Sequence, residues 1–138
     1  MTEINPCFGC GAGNPRGMHL EFDRDEERQR IVGRFRLGTD YQGGTGFIHG
    51  GIIALVLDEV MSKVSRFYDV RAVTAELSVE YLKPVRVNEE LLVEGFATRR
   101  EGRQLYYKGE IRDSAGVMLA RGRGRFVAVD MEKFRDQR

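Results

Sequence analysis

The fold of this chain is decided by the stretch FIHGGIIALVLDEVMSKVSRF, residues 47–67. We predict that this stretch forms the longest helix, and the two glycines near its start allow other groups to approach the backbone closely. Residues 52–57 are all apolar, which predicts a helical segment that is buried on every side. Asp58 follows directly. Because an ionised carboxylate is costly to bury, an acid at this position is a candidate for chemistry.

The length and composition predict one soluble domain over residues 1–138. Charged residues make up 31% and apolar residues 41%, and the net charge of +1 argues against nucleic-acid binding, which usually needs a basic excess. No apolar run approaches the roughly 18 residues of a membrane span, and the first residues lack the segments of a signal peptide. We therefore expect a cytoplasmic protein with reduced cysteines and without membrane or nucleic-acid partners.

The rest of the chain alternates between strand patterns and turns. Residues 1–17 are predicted to be a loop leader, residues 38–46 a flexible glycine-rich loop, and residues 130–138 a polar tail that frays or forms a short helix. A charged turn at 23–27 is predicted to join the first two strands into a hairpin. Alternation of apolar residues predicts strands at 18–22, 31–37, 73–81, 91–98, 105–111 and 117–129. One apolar helix with about six strands favours an α+β fold, in which a curved antiparallel sheet wraps around the helix.

Three motifs together resemble the hotdog-fold acyl-CoA thioesterases of the phenylacetate-pathway (PaaI-like) family. They are the His-Gly-Gly of residues 49–51 at a helix start, Asp58 nine residues after that histidine, and a later strand that ends in Tyr-Leu-Lys-Pro at 81–84. The leader sequence CFGCGAGNPRG, residues 7–17, resembles one branch of the same family. The resemblance covers nearly the whole chain. It implies the hotdog fold, a helix wrapped by an antiparallel sheet, in agreement with the predicted elements.

The resemblance also implies roles for four residues. Asp58 matches the catalytic carboxylate, and Gly50 matches the glycine whose N–H polarises the thioester carbonyl. His49 matches the motif histidine, which we expect to orient the loop or to contact the thioester and not to act as the main base. Thr74 falls where relatives often have a hydroxyl that holds the attacking water. Asp58 could act as general base or as nucleophile, and the sequence does not choose between them.

Further residues are candidates for substrate binding. Gly51 adds a second N–H at the positive end of the helix. Some relatives have an asparagine six residues before the motif histidine, where this chain has Gly43; either Gln42 replaces that amide or the function is absent. Arg99 and Arg121 are candidates for contacts to the phosphates of coenzyme A. Arg121 lies on the last predicted strand, where charges could instead form the solvated face of an edge strand and discourage aggregation. Other basic candidates are Lys83, Arg86, Arg100, Arg103, Arg123 and Arg125.

The spacing of Cys7 and Cys10 is that of half a zinc site, and the chain has no other cysteines. A zinc ion shared between two subunits is one interpretation. We favour a structural loop near the mouth of the active site, and we expect no metal and no cofactor. Glu59 is expected to be structural and to pair with Lys63 one helical turn later.

These observations predict an enzyme that hydrolyses an acyl-CoA thioester. Gly50 and Asp58 lie eight residues apart on one helix, roughly 12 Å at 1.5 Å per residue, which predicts a homodimer with active sites shared between subunits. A homotetramer is common among relatives. The alternatives are another acyl-thioester protein of this fold, namely a hydratase, a dehydratase or a non-catalytic binder, and a module that binds nucleic acid or protein. The identity of the acyl group cannot be read from the sequence.

Overall fold

The computed structural model describes residues 4–137 and contains a six-stranded antiparallel sheet that curves around one long helix. The α+β hotdog architecture expected from the sequence is therefore confirmed. In chain order the strands are β1 (Asp23–Asp25), β2 (Arg30–Arg36), β3 (Ala72–Tyr81), β4 (Glu90–Glu101), β5 (Gln104–Asp113) and β6 (Met118–Ala128), and the helices are α1 (Gly50–Lys63) and α2 (Met131–Arg135). The order across the sheet is β1-β2-β4-β5-β6-β3.

Helix α1 lies against the concave face of the sheet. Its fully buried residues recur at the spacing of one helical face and are Ile53, Val56, Leu57, Val60 and Met61. The helix approaches β4 so closely that a Cβ on Gly95 would lie 2.6 Å from the carbonyl oxygen of Val60. A glycine is therefore required at this crossing, and it brings the helix backbone next to the sheet.

The prediction that residues 52–57 are buried on every side is wrong for the single chain. Ile52, Ala54 and Leu55 are only partly buried, because the sheet covers one side of the helix and leaves the other side open. The predicted helix also changes character at its end, where Val64–Tyr68 continues it as a 3-10 helix.

The first predicted strand is wrong in position. Residues 18–22 lie alongside the leader, where the N–H groups of Met18 and Leu20 donate to the carbonyls of Phe8 and Gly9 at 2.7 and 2.8 Å. Strand β1 forms instead in part of the predicted charged turn, because the leader has already taken the hydrogen bonds of the preceding residues. The other five predicted strands are confirmed to within a few residues.

Strand β3 is the edge strand that carries the candidate Thr74. Its register pairs Thr74 with the buried Phe126 of β6, so both side chains lie on the helix-facing side of the sheet. A bulge then shifts the register between Thr74 and Glu76. Among residues 4–137, β3 pairs only with β6, and its other edge is left open.

The chain termini flank this core. Of the predicted leader and tail, residues 1–3 and 138 lie outside the described residues. The tail forms the short helix α2, where the Asp130 carboxylate caps the N–H of Glu132 at 3.1 Å. No helix between residues 4 and 137 has the length and apolar character needed to cross a bilayer.

Candidate active site

His49 is the N-cap of helix α1. Its Nδ1 accepts a hydrogen bond from the N–H of Gly51 at 2.8 Å, so a neutral ring carries its proton on Nε2. The main chain on either side is fixed as well, because the N–H of His49 donates to Tyr41 O and that of Ile48 to Val85 O, both at 2.8 Å. His49 therefore orients the start of the helix, and the N–H of Gly51 is already used within the chain.

Gly50 presents the free donor at this helix start. Within residues 4–137 no acceptor is found for its N–H, which lies at the positive end of the helix dipole. Its carbonyl accepts a hydrogen bond from the Tyr81 hydroxyl at 2.8 Å. Tyr81 was not predicted as a site residue, although it belongs to the Tyr-x-x-Pro motif at the end of β3. Its hydrogen bond connects the helix start to the sheet. Because this bond uses the carbonyl of Gly50, it does not occupy the N–H.

Asp58 is half-buried on α1, where its Oδ1 accepts a hydrogen bond from the Thr74 hydroxyl at 2.7 Å. Burial raises the pKa of Asp58 above its usual range; the Thr74 bond partly offsets this rise, and the charge of Glu59 adds to it. No basic side chain among residues 4–137 contributes to the pKa of this carboxyl. Among the described residues, therefore, no arginine neutralises Asp58, as one would in a purely structural ion pair.

The chain does not bring its acid and its free N–H donor together. Both residues lie on α1, and eight residues of helix separate their backbones by roughly 12 Å. An aspartate side chain is too short to close that distance. Within one chain, therefore, the candidate acid and the candidate N–H donor lie at separate places on helix α1.

The loop before the helix holds the candidates Gln42 and Gly43. The side-chain oxygen of Gln42 accepts from the N–H of Gly46 at 3.0 Å, and Gly43 N–H donates to Phe47 O at 2.9 Å. A Cβ at position 43 would lie 3.2 Å from the Cα of His49. Gly43 therefore lets the loop pass close to the helix start. The side-chain amide oxygen of Gln42 closes the loop through its hydrogen bond with Gly46.

Arg99 and Arg121 lie away from these groups within the chain. The Arg99 guanidinium stacks on Tyr106 at 4.0 Å from the ring centre. Arg121 makes two hydrogen bonds to Glu80, at 3.0 and 3.2 Å, on the outer face of the sheet. Its neighbour Gly122 faces helix α1 instead, as expected from strand alternation. The structure does not bring either arginine next to Asp58 or Gly50 of the same chain.

A concavity of about 320 Å³ opens beside Gly50. Its lining is largely apolar and includes Phe47, Ile53, Tyr81 and Leu82, three of which are exposed although they are large and apolar. A larger concavity of about 790 Å³ lies between the start of β3 and α2, and neither Gly50 nor Asp58 lines it. The apolar concavity is the one next to the free N–H donor.

The long helix α1 against a curved six-stranded antiparallel sheet defines a hotdog-fold protein. On this fold an acid of the helix is hydrogen-bonded to a hydroxyl of the edge strand. A sequence model described as the Thioesterase superfamily matches residues 45–130, and the chain belongs to this family. Rat acyl-coenzyme A thioesterase THEM4 is 29% identical over 110 residues, covering 79% of this chain and 47% of the rat protein. The chain thus spans about half the length of the curated relatives that it matches first.

Solved structures agree with this assignment. Protein RHA08564, a thioesterase superfamily protein, superposes with a TM-score of 0.77 at 29% identity, covering 83% of this chain and 58% of that one. Protein BH2602 of Bacillus halodurans, solved with CoA, has a TM-score of 0.70 at 25% identity, covering 80% and 74%. The E. coli PaaI protein, with a TM-score of 0.72, 16% identity and 80% coverage of each chain, shows the shared fold.

Proposed function

We propose that this protein hydrolyses an acyl-CoA thioester to the free acid and coenzyme A. The observation that carries the proposal is the 2.7 Å hydrogen bond between Thr74 and Asp58, which holds a half-buried carboxylate on the helix; no cationic partner for it lies within residues 4–137. Family membership and the similarity to a CoA-bound protein support the choice of substrate. No step of this reaction requires a metal or a cofactor.

In the proposed reaction Asp58 acts on a water molecule that Thr74 holds. The Thr74 hydroxyl donates to the carboxylate, so its oxygen lone pairs remain free to accept from water. The water oxygen attacks the thioester carbon, its proton moves to Asp58, and the carbonyl oxygen becomes an oxyanion bound by the N–H of Gly50. The carbon–sulfur bond then breaks, and the coenzyme A thiolate takes the proton back from Asp58.

A second route has the Asp58 carboxylate attack the thioester carbon and form a mixed anhydride, which water then hydrolyses. The two routes use the same residues and differ in one intermediate. Hydroxylamine that attacks the Asp58 carbonyl of this anhydride releases the free acid and leaves a hydroxamate on Asp58. The appearance of an aspartyl hydroxamate on the protein during turnover therefore distinguishes the second route from the first.

The proposal includes a homodimer in which each site takes Gly50 from one subunit and Asp58 from the other. Support comes from the roughly 12 Å gap within a chain. It also comes from the open edge of β3 and the half-covered side of α1, where Ile52 and Leu55 are partly exposed. A two-fold axis would place two helices side by side and create two equivalent sites. A homotetramer made of two such dimers is the alternative assembly, and a cytoplasmic location stays a prediction from the sequence.

The test is a panel of short-chain, medium-chain, long-chain and aryl acyl-CoAs with a thiol-reactive dye. We expect thiol release with at least one acyl group, and loss of most turnover in Asp58→Asn, which keeps the side-chain shape but removes the base. Asp69→Asn is the matched control, because Asp69 is exposed at the end of the 3-10 helix and its left-handed backbone accepts asparagine. Near wild-type kcat in Asp58→Asn, or no thiol release from any acyl-CoA, would refute the proposal.

A further inference from the structure

Two cysteines of the leader meet a helix carboxylate outside the candidate active site. One ligand atom from each of Cys7, Cys10 and Glu59 lies within 4.8 Å of the other two. The Cys7 sulfur is 3.3 Å from Oε1 of Glu59. The spacing of the two cysteines is that of half a zinc site, and the fold places a third possible ligand, Glu59 of α1, beside them.

The leader is shaped to bring these atoms together. A tight turn closes on the hydrogen bond from Gly11 N–H to Cys7 O at 2.8 Å. A Cβ at Gly11 would lie 2.4 Å from Cys7 N, and a Cβ at Gly9 would lie 2.4 Å from the Glu59 carboxyl carbon. Glycines at these two positions therefore allow the turn to close and to approach Glu59.

The cluster has negative charge and a carboxylate oxygen that remain available to coordinate a cation. Oε2 of Glu59 is buried and has no hydrogen-bond partner in the described part of the chain; the nearest ammonium, that of Lys63, is 3.9 Å away. That ammonium instead donates to the Cys10 sulfur at 2.7 Å, and the Asn5 side-chain amide points at the same sulfur from 3.7 Å. Two donors directed at one sulfur are what a metal-bound thiolate needs.

We propose that Cys7, Cys10 and Glu59 bind a zinc ion, with the fourth tetrahedral position left to water. Thiolates select Zn²⁺ over the hard cations, and a carboxylate is an accepted third ligand. The charges balance: the two thiolates and the carboxylate are negative, and their charge is matched by the divalent ion together with the Lys63 ammonium. In this arrangement Lys63 acts as a positioning residue that hydrogen-bonds the Cys10 thiolate. The ion would join the leader to α1 at the residue directly after Asp58.

The test uses the full chain, reduced and freed of metal with a chelator, then titrated with Co²⁺ or Zn²⁺ alone. We expect one ion per chain by native mass spectrometry and a thiolate-to-Co²⁺ charge-transfer band that Zn²⁺ abolishes. Cys7→Ser and Cys10→Ser should each lose most of the affinity. Lys63→Met should weaken binding by about 10- to 100-fold, the effect typical of outer partners of a metal site.

Glu59→Gln is the sharpest variant, because it keeps the side-chain size and removes the charged ligand. We expect it to bind at least about 10-fold more weakly, whereas Glu101→Gln, at an exposed carboxylate, should bind as wild type. Equal binding by Glu59→Gln and wild type, or no stoichiometric ion, would overturn the proposal. The intact mass of the protein as purified, before reduction, is a separate check. A mass lower by two hydrogens, which indicates a Cys7–Cys10 disulfide, or a mass with one added oxygen and two hydrogens lost, which indicates an oxygen-bridged Cys10–Lys63 link, would also overturn the proposal. These readouts do not depend on thioester hydrolysis.

Discussion

The carboxylate of Asp58 is ionised at a cost to the folded state. Burial raises its pKa, so protonation favours folding, and the stability from this group is present at low pH and lost as pH rises through the raised folded-state pKa. We expect activity to follow the opposite trend, since both proposed routes need the ionised carboxylate.

A pH prediction follows from this opposition. We expect kcat/KM to fall as pH drops through the pKa of Asp58, on a limb displaced above the usual aspartate range. Asp58→Asn should be at least as stable as wild type at pH 7, because it removes the ionised group and its amide oxygen can still accept from Thr74. Turnover and denaturant unfolding measured across pH check both statements. A large loss of stability in Asp58→Asn would instead indicate a structural acid.

In the proposed reaction, Thr74 positions the attacking water and does not act as the base. Thr74→Ala should therefore lower kcat by about 10-fold, less than Asp58→Asn, where loss of a general base costs about 10²- to 10⁴-fold. Removing the hydroxyl also removes the bond that lowers the pKa of Asp58, so the acidic limb should move to higher pH. Thr74→Ser, which keeps the hydroxyl, is the matched control. An unchanged pH profile in Thr74→Ala would show that the Thr74 hydroxyl does not act on the catalytic carboxylate.

At the scale of elements, the crossing of α1 over β4 allows a stability prediction. A Cβ in Gly95→Ala would meet the Val60 carbonyl at 2.6 Å, and both residues are buried, so the helix must shift. We expect a loss of about 1–3 kcal/mol in the free energy of unfolding, the usual range for overpacking. Gly44→Ala is the control, because nothing lies within 4 Å of a Cβ there. Equal stability of the two variants would show that the helix accommodates the methyl group.

Elements with a strong period could be predicted from the sequence, and elements set by distant partners could not. Strand β3 alternates clearly over Val73–Tyr81 and was placed correctly. Residues 18–22 alternate as well, but the leader takes their hydrogen bonds, and the strand moves to residues 23–25. Likewise the apolar run at 52–57 does not reveal that the sheet covers only one side of the helix.

The candidate site shows the same division. The acid after the apolar run indicated Asp58, the family resemblance implied Thr74, and folding joins the two across 16 positions of the sequence. The sequence could not show that the Gly51 N–H donates to the His49 ring, because this hydrogen bond depends on the side-chain rotamer of His49. Nor could it place Glu59 beside the leader cysteines, since nothing local connects positions 52 residues apart.

At the scale of the whole molecule, the shared site can be tested by mixing two inactive proteins. Asp58→Ala removes the acid, and Gly50→Pro removes the N–H at a helix position where proline is tolerated. Random re-pairing makes half the dimers mixed, each with one intact site of two, so activity should recover to roughly a quarter of wild type. Thiol release before and after subunit exchange measures the recovery.

The control mixture pairs Asp58→Ala with Thr74→Ala. These two residues are bonded within one chain and belong to the same half-site, so their mixture should not exceed the activity that Thr74→Ala contributes alone. If the first mixture stays inactive although both variants fold and exchange subunits, the acid and the oxyanion donor lie in one chain and must be reassigned.

The eight residues that separate Gly50 from Asp58 also decide how the rate depends on the amount of protein. If each site takes half of its residues from either subunit, as proposed, a folded monomer would be inactive, and catalysis would begin only when two chains associate. Specific activity would then rise with concentration and reach a plateau once association is complete. Dilution would abolish the activity without unfolding the protein. The dissociation constant of the dimer would then set the lowest protein concentration at which the reaction runs in a cell.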